Sequence, residues 1–329
     1  MAAINQLPGG QPINTHVLWP PDIDPLTTAR RDALIEHIRS PFIDHLRSLN
    51  LASQLVDQLA DVYLPLAAWI DQRRQLRQDT LIVGVNGAQG SGKSTLCELL
   101  RLTLSIGFNR RVVCLSIDDI YKTKQTRRQM AQDVHPLFQT RGVPGTHDVP
   151  LGLATLRALR AGTLPEPLSI PRFDKAQDDR AEPDSWPVVT GNADIVLFEG
   201  WCVGARPQPE DALIDPVNAL EAAEDPDTVW RREVNRALAG EYAELFAELD
   251  ALVMLRVPDF ESIFRWRRQQ EQALSRRMSE PELRRFIMHY ERLTRYMLDE
   301  IPTRADLVLQ LNRDHRIETV TAKTAQSTG

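Results

Sequence analysis

The sequence predicts a three-layer α/β protein built on a doubly wound parallel sheet. Three features point there: five short apolar runs, helix-period stretches between them, and a glycine-rich turn directly behind the first run. The runs are 81–86 (LIVGVN), 111–117 (RVVCLSI), 194–199 (DIVLFE), 251–257 (ALVMLRV) and 306–311 (DLVLQL). Each is continuously apolar rather than alternating, as expected of parallel strands buried on both faces. Strands that alternate with helices place helices on both sides of the sheet.

In chain order, residues 1–22 are rich in Pro and Gly and read as a loosely held arm. From Pro25 to Arg77 the pattern turns helical, with Leu34, Ile35, Ile38, Phe42 and Leu46, then Leu55, Leu59, Val62 and Tyr63, at three- and four-residue steps. Residues 1–78 are therefore expected to be an arm and helical extension packing on a core domain at 79–318. Within that domain, 150–162 (PLGLATLRALRAG) reads as a helix with Gly162 at C′. Helices around 258–300 include one opened by Ser279 and Glu282 as a capping box, with Pro281 in its first turn. Its apolar stripe is Leu283, Phe286, Ile287, Tyr290 and Met297. Residues 319–329 read as a polar tail. No internal repeat is present.

At 329 residues, 42% hydrophobic and 26% charged, the chain has an ordinary globular composition. A net charge of −6 argues against nucleic-acid binding, which needs a basic footprint. No stretch approaches membrane-spanning length and the N-terminus lacks the charged and apolar regions of a signal peptide, so a cytoplasmic protein is expected. Cys97, Cys114 and Cys202 form no CxxC pair and read as core residues in a reducing compartment. Only five of the 39 basic residues are lysines, and Lys93, Lys122, Lys124 and Lys175 all fall in the segments below.

The turn behind the first run is Gly87-Ala88-Gln89-Gly90-Ser91-Gly92-Lys93-Ser94-Thr95. It matches G-x-x-x-x-G-K-[ST] between an expected strand and an expected helix, where a P-loop must lie. At this composition a chance match arises in about one chain per thousand. Glycines let the backbone approach a ligand, and the N–H groups of the loop and helix start favour a polyphosphate. Lys93 is expected to bridge the β- and γ-phosphates and Ser94 to ligate Mg²⁺.

The second run ends in SIDDIYKTK (116–124). Ligands of open parallel sheets sit at the carboxyl ends of strands, so an Asp ending a strand beside the P-loop strand would face the γ-phosphate. Asp118 is the candidate to hold an acceptor hydroxyl and take its proton late, with Asp119 as the alternative. Helix-capping or turn carboxylates are the competing explanation. Glu199, closing the third run, is positioned to hold Mg²⁺, partly through water. Segments 141–149 (RGVPGTHDV) and 170–180 (IPRFDKAQDDR) mix Gly or Pro with charges of both signs and suit either a polar pocket or solvated turns. Arg141, His147, Arg172, Lys175 and Arg180 are cations able to clamp a carboxylate or phosphate. Most arginines of FRWRRQQEQALSRRM read as a solvated face, but one, with Arg267 the candidate, is expected to close over the triphosphate.

Taken together, GAQGSGKST, SIDDIY, RGVPGTHD, PRFDKAQDDR, LFEGWCVG and WRRQQE resemble the P-loop kinases of the phosphoribulokinase, uridine kinase and pantothenate kinase type, and within them the D-glycerate 3-kinases. The resemblance covers residues 60–315. It implies an acceptor-activating role for Asp118, with Tyr121 in the same pattern, and a metal-associated role for Glu199. It implies acceptor-binding loops at 141–148 and 172–180, bringing in Arg141, His147, Asp148, Asp174, Lys175 and Arg180. The LNRDHRI segment resembles one near the nucleotide base, which assigns Asn312 to ATP. ATP and Mg²⁺ would be cosubstrates and D-glycerate the acceptor, giving 3-phosphoglycerate. A uridine- or pantothenate-type kinase is the alternative within enzymes, and a nucleotide-dependent switch or scaffold the alternative outside them.

Overall fold

All five apolar runs form strands: β1 (Leu81–Gly87), β2 (Val112–Ser116), β3 (Ile195–Gly200), β4 (Ala251–Arg256) and β5 (Leu307–Leu311). The computed structural model describes residues 19–20, 23, 25–161, 166–272 and 278–323. Most of the expected N-terminal arm and the Gly162 cap lie outside them. A sixth strand, β6 (Ile317–Ala322), runs antiparallel to β5, so the start of the expected polar tail is sheet instead. Its Ile317 and Val320 are buried, while the residues beside them are polar, a mixture that reads as tail from composition alone. By pairing with β5, it covers that strand and becomes the edge of the sheet, a short one whose outward residues are polar.

The strand order is β6-β5-β4-β1-β3-β2, parallel except for β6. This corrects one expectation: the strand leading to Asp118 is not beside the P-loop strand. The chain skips a position between β1 and β2, and β3 later fills it. Ser116 of β2 is level with Glu199 of β3, which is level with Val85 of β1, so three strand ends open on one crevice with Glu199 in the middle.

The helices are α1 (Thr28–Ser48), α2 (Leu64–Gln75), α3 (Lys93–Phe108), α4 (Lys124–Asp133), α5 (Val149–Arg160), α6 (Ala219–Glu224), α7 (Val229–Ala239), α8 (Glu241–Ala247), α9 (Phe260–Gln272) and α10 (Glu280–Glu300). The two-residue period of the strands sorts their side chains into two cores. Val83, Leu197, Val253 and Leu309 face α1, α2 and α3. Ile82, Val196, Met254 and Val308 face α5, α8 and α10. The expected capping box at Ser279 and Glu282 opens α10, and Leu283, Ile287, Tyr290 and Met297 of its stripe are buried.

Pro41 lies inside α1. An interior proline costs a helix about 3 kcal/mol. Ile38, Phe42 and Leu46 of the same helix are at most 2% exposed, and burying each contributes about 1.5–3 kcal/mol, so tertiary packing wins. No described helix is long and apolar enough to cross a membrane.

Candidate active site

The phosphate cradle forms where β1 turns into α3. Gly90 and Gly92 have φ of 80° and 88°, the left-handed region that glycine enters without strain. Gly92 precedes α3, so the loop and the first turn of that helix present their N–H groups together. Ser91 is buried, and its hydroxyl has no hydrogen-bond partner among the described residues.

Lys93 and Ser94, the first residues of α3, reach β3. The Ser94 hydroxyl donates to Glu199 Oε1 at 2.7 Å, and Lys93 Nζ stands 3.9 Å from Glu199 Oε2. Glu199 is 6% exposed, and its Oε2 has no hydrogen-bond partner among the described residues. A hydroxyl beside a buried, under-coordinated carboxylate suits a hard divalent cation, which fills its remaining positions with water and phosphate oxygens. Among the described residues no cluster of three His, Cys, Asp or Glu side chains forms a metal cage.

After β2 the chain makes a 3₁₀ turn, Ile117–Ile120, capped by the Ser116 hydroxyl accepting from Asp118 N. This turn sits against the end of β3 because Gly200 has no side chain. A Cβ there would fall 2.3 Å from Ile117 Cγ2, which keeps Asp118 in the crevice with Glu199. Asp118 accepts from Lys175 Nζ at 2.7 Å and from the Tyr121 hydroxyl at 3.0 Å. Burial opposes its ionisation, but the Lys175 and Lys93 charges outweigh that and hold its carboxyl well below the usual range. Asp119 is committed elsewhere. It accepts from Arg172 at 3.1 Å and from Phe173 N at 3.4 Å, and burial raises its pKa. The two acids separate into one facing the crevice and one anchoring a loop.

Segment 170–180 is a small hairpin, with Phe173–Asp174 paired to Asp179–Arg180. Asp174 caps its turn by accepting from Ala176 N and Gln177 N. The expected cationic clamps carry carboxylate partners of their own: Arg141 bonds Asp178, Arg172 bonds Asp119, Lys175 bonds Asp118, and Arg180 bonds Asp148 at 2.7 Å. Asp148 also caps α5 through Leu151 N.

His147 is no cation at all. It is fully buried, its Nδ1 is 2.6 Å from the Tyr242 hydroxyl, its ring stacks on Tyr121, and burial pushes its pKa down to about 3. The unfolded chain takes up this proton near pH 6.5 and the folded chain does not until about pH 3, so stability falls as pH falls through that window. His147→Gln is expected to lose about 2 kcal/mol less than the parent between pH 7 and pH 5 in urea titrations. Equal losses would overturn the assignment.

Three residues to which the motifs assign no role build this region. The Tyr242 hydroxyl also accepts from Gly145 N and His147 N. Trp201 Nε1 donates to Gly142 O. Arg127, 1% exposed, donates to the carbonyls of Lys122, Gln139 and Asp178. Trp201 directly follows the Glu199-Gly200 pair, which is a usable signal. Arg127 carries none, since its neighbour Arg128 has the same character.

On its other side the cradle opens into a cleft of about 920 Å³ whose lining includes Gly90, Ser91, Gly92, Thr95 and Asn312. The Asn312 side chain organises its own turn, accepting from Asp314 N and Arg316 N and donating to Glu318. His315 Nε2 bonds Gly90 O at 2.9 Å, and its ring lies 3.8 Å from that of Trp266 in α9. The next residue, Arg267, bonds Gln270 and lies over the Phe286 ring of α10. Ala88 and the half-buried Gln89 complete the loop.

No family model matches the chain. It is 37% identical over 223 residues to the uncharacterized kinase mug58 of Schizosaccharomyces pombe, spanning 64% of this chain and 78% of that one. The chain belongs to the P-loop kinases of the phosphoribulokinase, uridine kinase and pantothenate kinase type. This P-loop kinase is also 28% identical over 267 residues to the chloroplastic D-glycerate 3-kinase of Arabidopsis thaliana, spanning 74% of its own length and 56% of the plant chain. Among solved structures, D-glycerate 3-kinase from Cryptococcus neoformans superposes with a TM-score of 0.66 at 25% identity, over 79% of this kinase and 96% of that chain. It is a small-molecule kinase with a mostly parallel, helix-flanked sheet.

Proposed function

We propose that this kinase transfers the γ-phosphoryl group of ATP to a hydroxyl of a small carboxylate-bearing acceptor, with D-glycerate as the acceptor and 3-phosphoglycerate as the product. The observation that carries this reading is the Asp118–Lys175 contact, 2.7 Å long, at the mouth of the crevice that Lys93, Ser94 and Glu199 line. Asp118 is ionised at every physiological pH and can accept a hydrogen bond from the attacking alcohol. Phosphoryl transfer is loose, so the proton needs a destination only late, and a weakly basic carboxylate suffices. Lys175 is 62% exposed on its hairpin, so its ammonium is free to pass from Asp118 to an arriving acceptor carboxylate. That exchange frees Asp118 only when an anionic acceptor is present, which favours glycerate over neutral alcohols.

Ser94 and Glu199 are the residues to hold Mg²⁺, which when bound neutralises charge shared by the β- and γ-oxygens. Lys93 adds a fixed cation at the same oxygens. The Gly90–Lys93 amides fix the phosphate chain, and Arg267 is the lid residue proposed to approach it from α9.

The test is ADP release measured with D-glycerate, L-glycerate, uridine, pantothenate and ribulose 5-phosphate in turn. Acceleration by D-glycerate above the acceptor-free rate is expected. Acceleration only by uridine or pantothenate would replace the acceptor, and a slow rate indifferent to every acceptor would favour the switch reading.

A further inference from the structure

The cleft beside the cradle has one wall that no kinase motif accounts for. Its far side is built by the segment between α1 and α2, with Ala52, Gln54, Leu55, Gln58 and Tyr63 facing the P-loop and the 311–318 turn. This segment is held in an unusual shape. Asn50, with φ of 51°, ends α1, and a 3₁₀ turn (Ser53–Gln58) then runs into a π-helical turn (Leu59–Tyr63). Short π turns cost regular helix hydrogen bonding and recur at functional sites. Here their carbonyls are taken up from outside: Trp19 Nε1 donates to Asp61 O at 2.7 Å and Arg31 donates to Ala60 O at 2.9 Å. The Tyr63 ring is 3% exposed and lies 5.3 Å from that of Phe42. The wall is thus anchored to α1 and to the core while one of its faces borders the cleft.

The lining suits the base half of a nucleotide. Leu55, Leu96, Leu311 and Ile317 in the lining offer apolar surface for a planar ring, while Gln54 and Gln58 carry amides able to meet its polar edge. The cleft is continuous with the amides of Gly90, Ser91 and Gly92, so a ligand whose phosphates sit in the cradle has its base here.

We propose that residues 51–63 form a wall of the nucleotide-base site, so that the N-terminal extension is a ligand-binding element of this kinase rather than only a cover for the sheet. This rests on the P-loop binding a nucleoside triphosphate. The experiment compares ATP with tripolyphosphate, which has the phosphates but no base, by calorimetric titration in Mg²⁺ buffer on the full chain. Ala52 and Gln54 are both exposed, so Ala52→Trp and Gln54→Trp fill the cleft without disturbing the core. Each is expected to weaken ATP at least about tenfold and to leave tripolyphosphate unchanged, with an unaltered melting temperature. ATP binding unchanged in both variants, or ATP and tripolyphosphate weakened alike, would overturn the proposal. A parent protein that binds neither compound would instead overturn the nucleotide reading, and the proposal with it.

Discussion

Asp118→Asn is expected to lower the turnover number for acceptor phosphorylation by about 10²–10⁴-fold, the range a positioned general base supplies, with ATP affinity retained. The amide keeps the size of the side chain and can still accept from Tyr121, but it has no charge to orient the alcohol or receive its proton. It also releases Lys175 from its ion pair, so acceptor affinity is expected to hold or rise while kcat collapses. Steady-state ADP release over an acceptor titration separates the two constants. Turnover within tenfold of the parent would remove Asp118 from the chemistry. Asp119 would be a poor substitute because Arg172 and Phe173 N already engage it.

The second large effect is expected from Lys93→Ala. Lys93 is the first residue of α3, and its ammonium faces the buried oxygen of Glu199. Its removal withdraws a cation from the developing phosphate charge, worth about 10²–10³-fold in rate for one well-placed donor, and leaves Glu199 more repulsive to phosphate. Both kcat and ATP affinity are expected to fall, unlike the Asp118 variant. Lys93→Arg should not rescue, because a planar guanidinium cannot occupy the position of a compact ammonium. Near-parent activity in Lys93→Arg would show that charge alone matters there. Single-turnover assays at saturating ATP distinguish these outcomes.

What the sequence made legible followed from local rules. The five strands were visible because burial on both faces leaves unbroken apolar runs, and α10 because its capping box and stripe are both local. Ser94 and Glu199 were each assigned to metal separately, and the structure brings them to 2.7 Å. What escaped was non-local. Nothing in a run of residues says that β3 inserts between β1 and β2. The pairing of each loop cation with its own carboxylate, such as Arg180 with Asp148, depends on a hairpin folding back over 32 positions. His147 looked like a cation until its burial against Tyr242 was known. The β6 strand was missed because a half-buried edge strand needs few apolar residues.

The bond from His315 to Gly90 spans 225 positions and has a consequence for how the protein is born. A nascent chain exposes its phosphate-binding glycines first, yet the turn that fastens them leaves the ribosome only 225 positions later. Until then the polypeptide carries the signature of a nucleotide enzyme without the brace that holds its pocket. A prematurely terminated product would share that condition, recognisable by sequence and deficient in ligand.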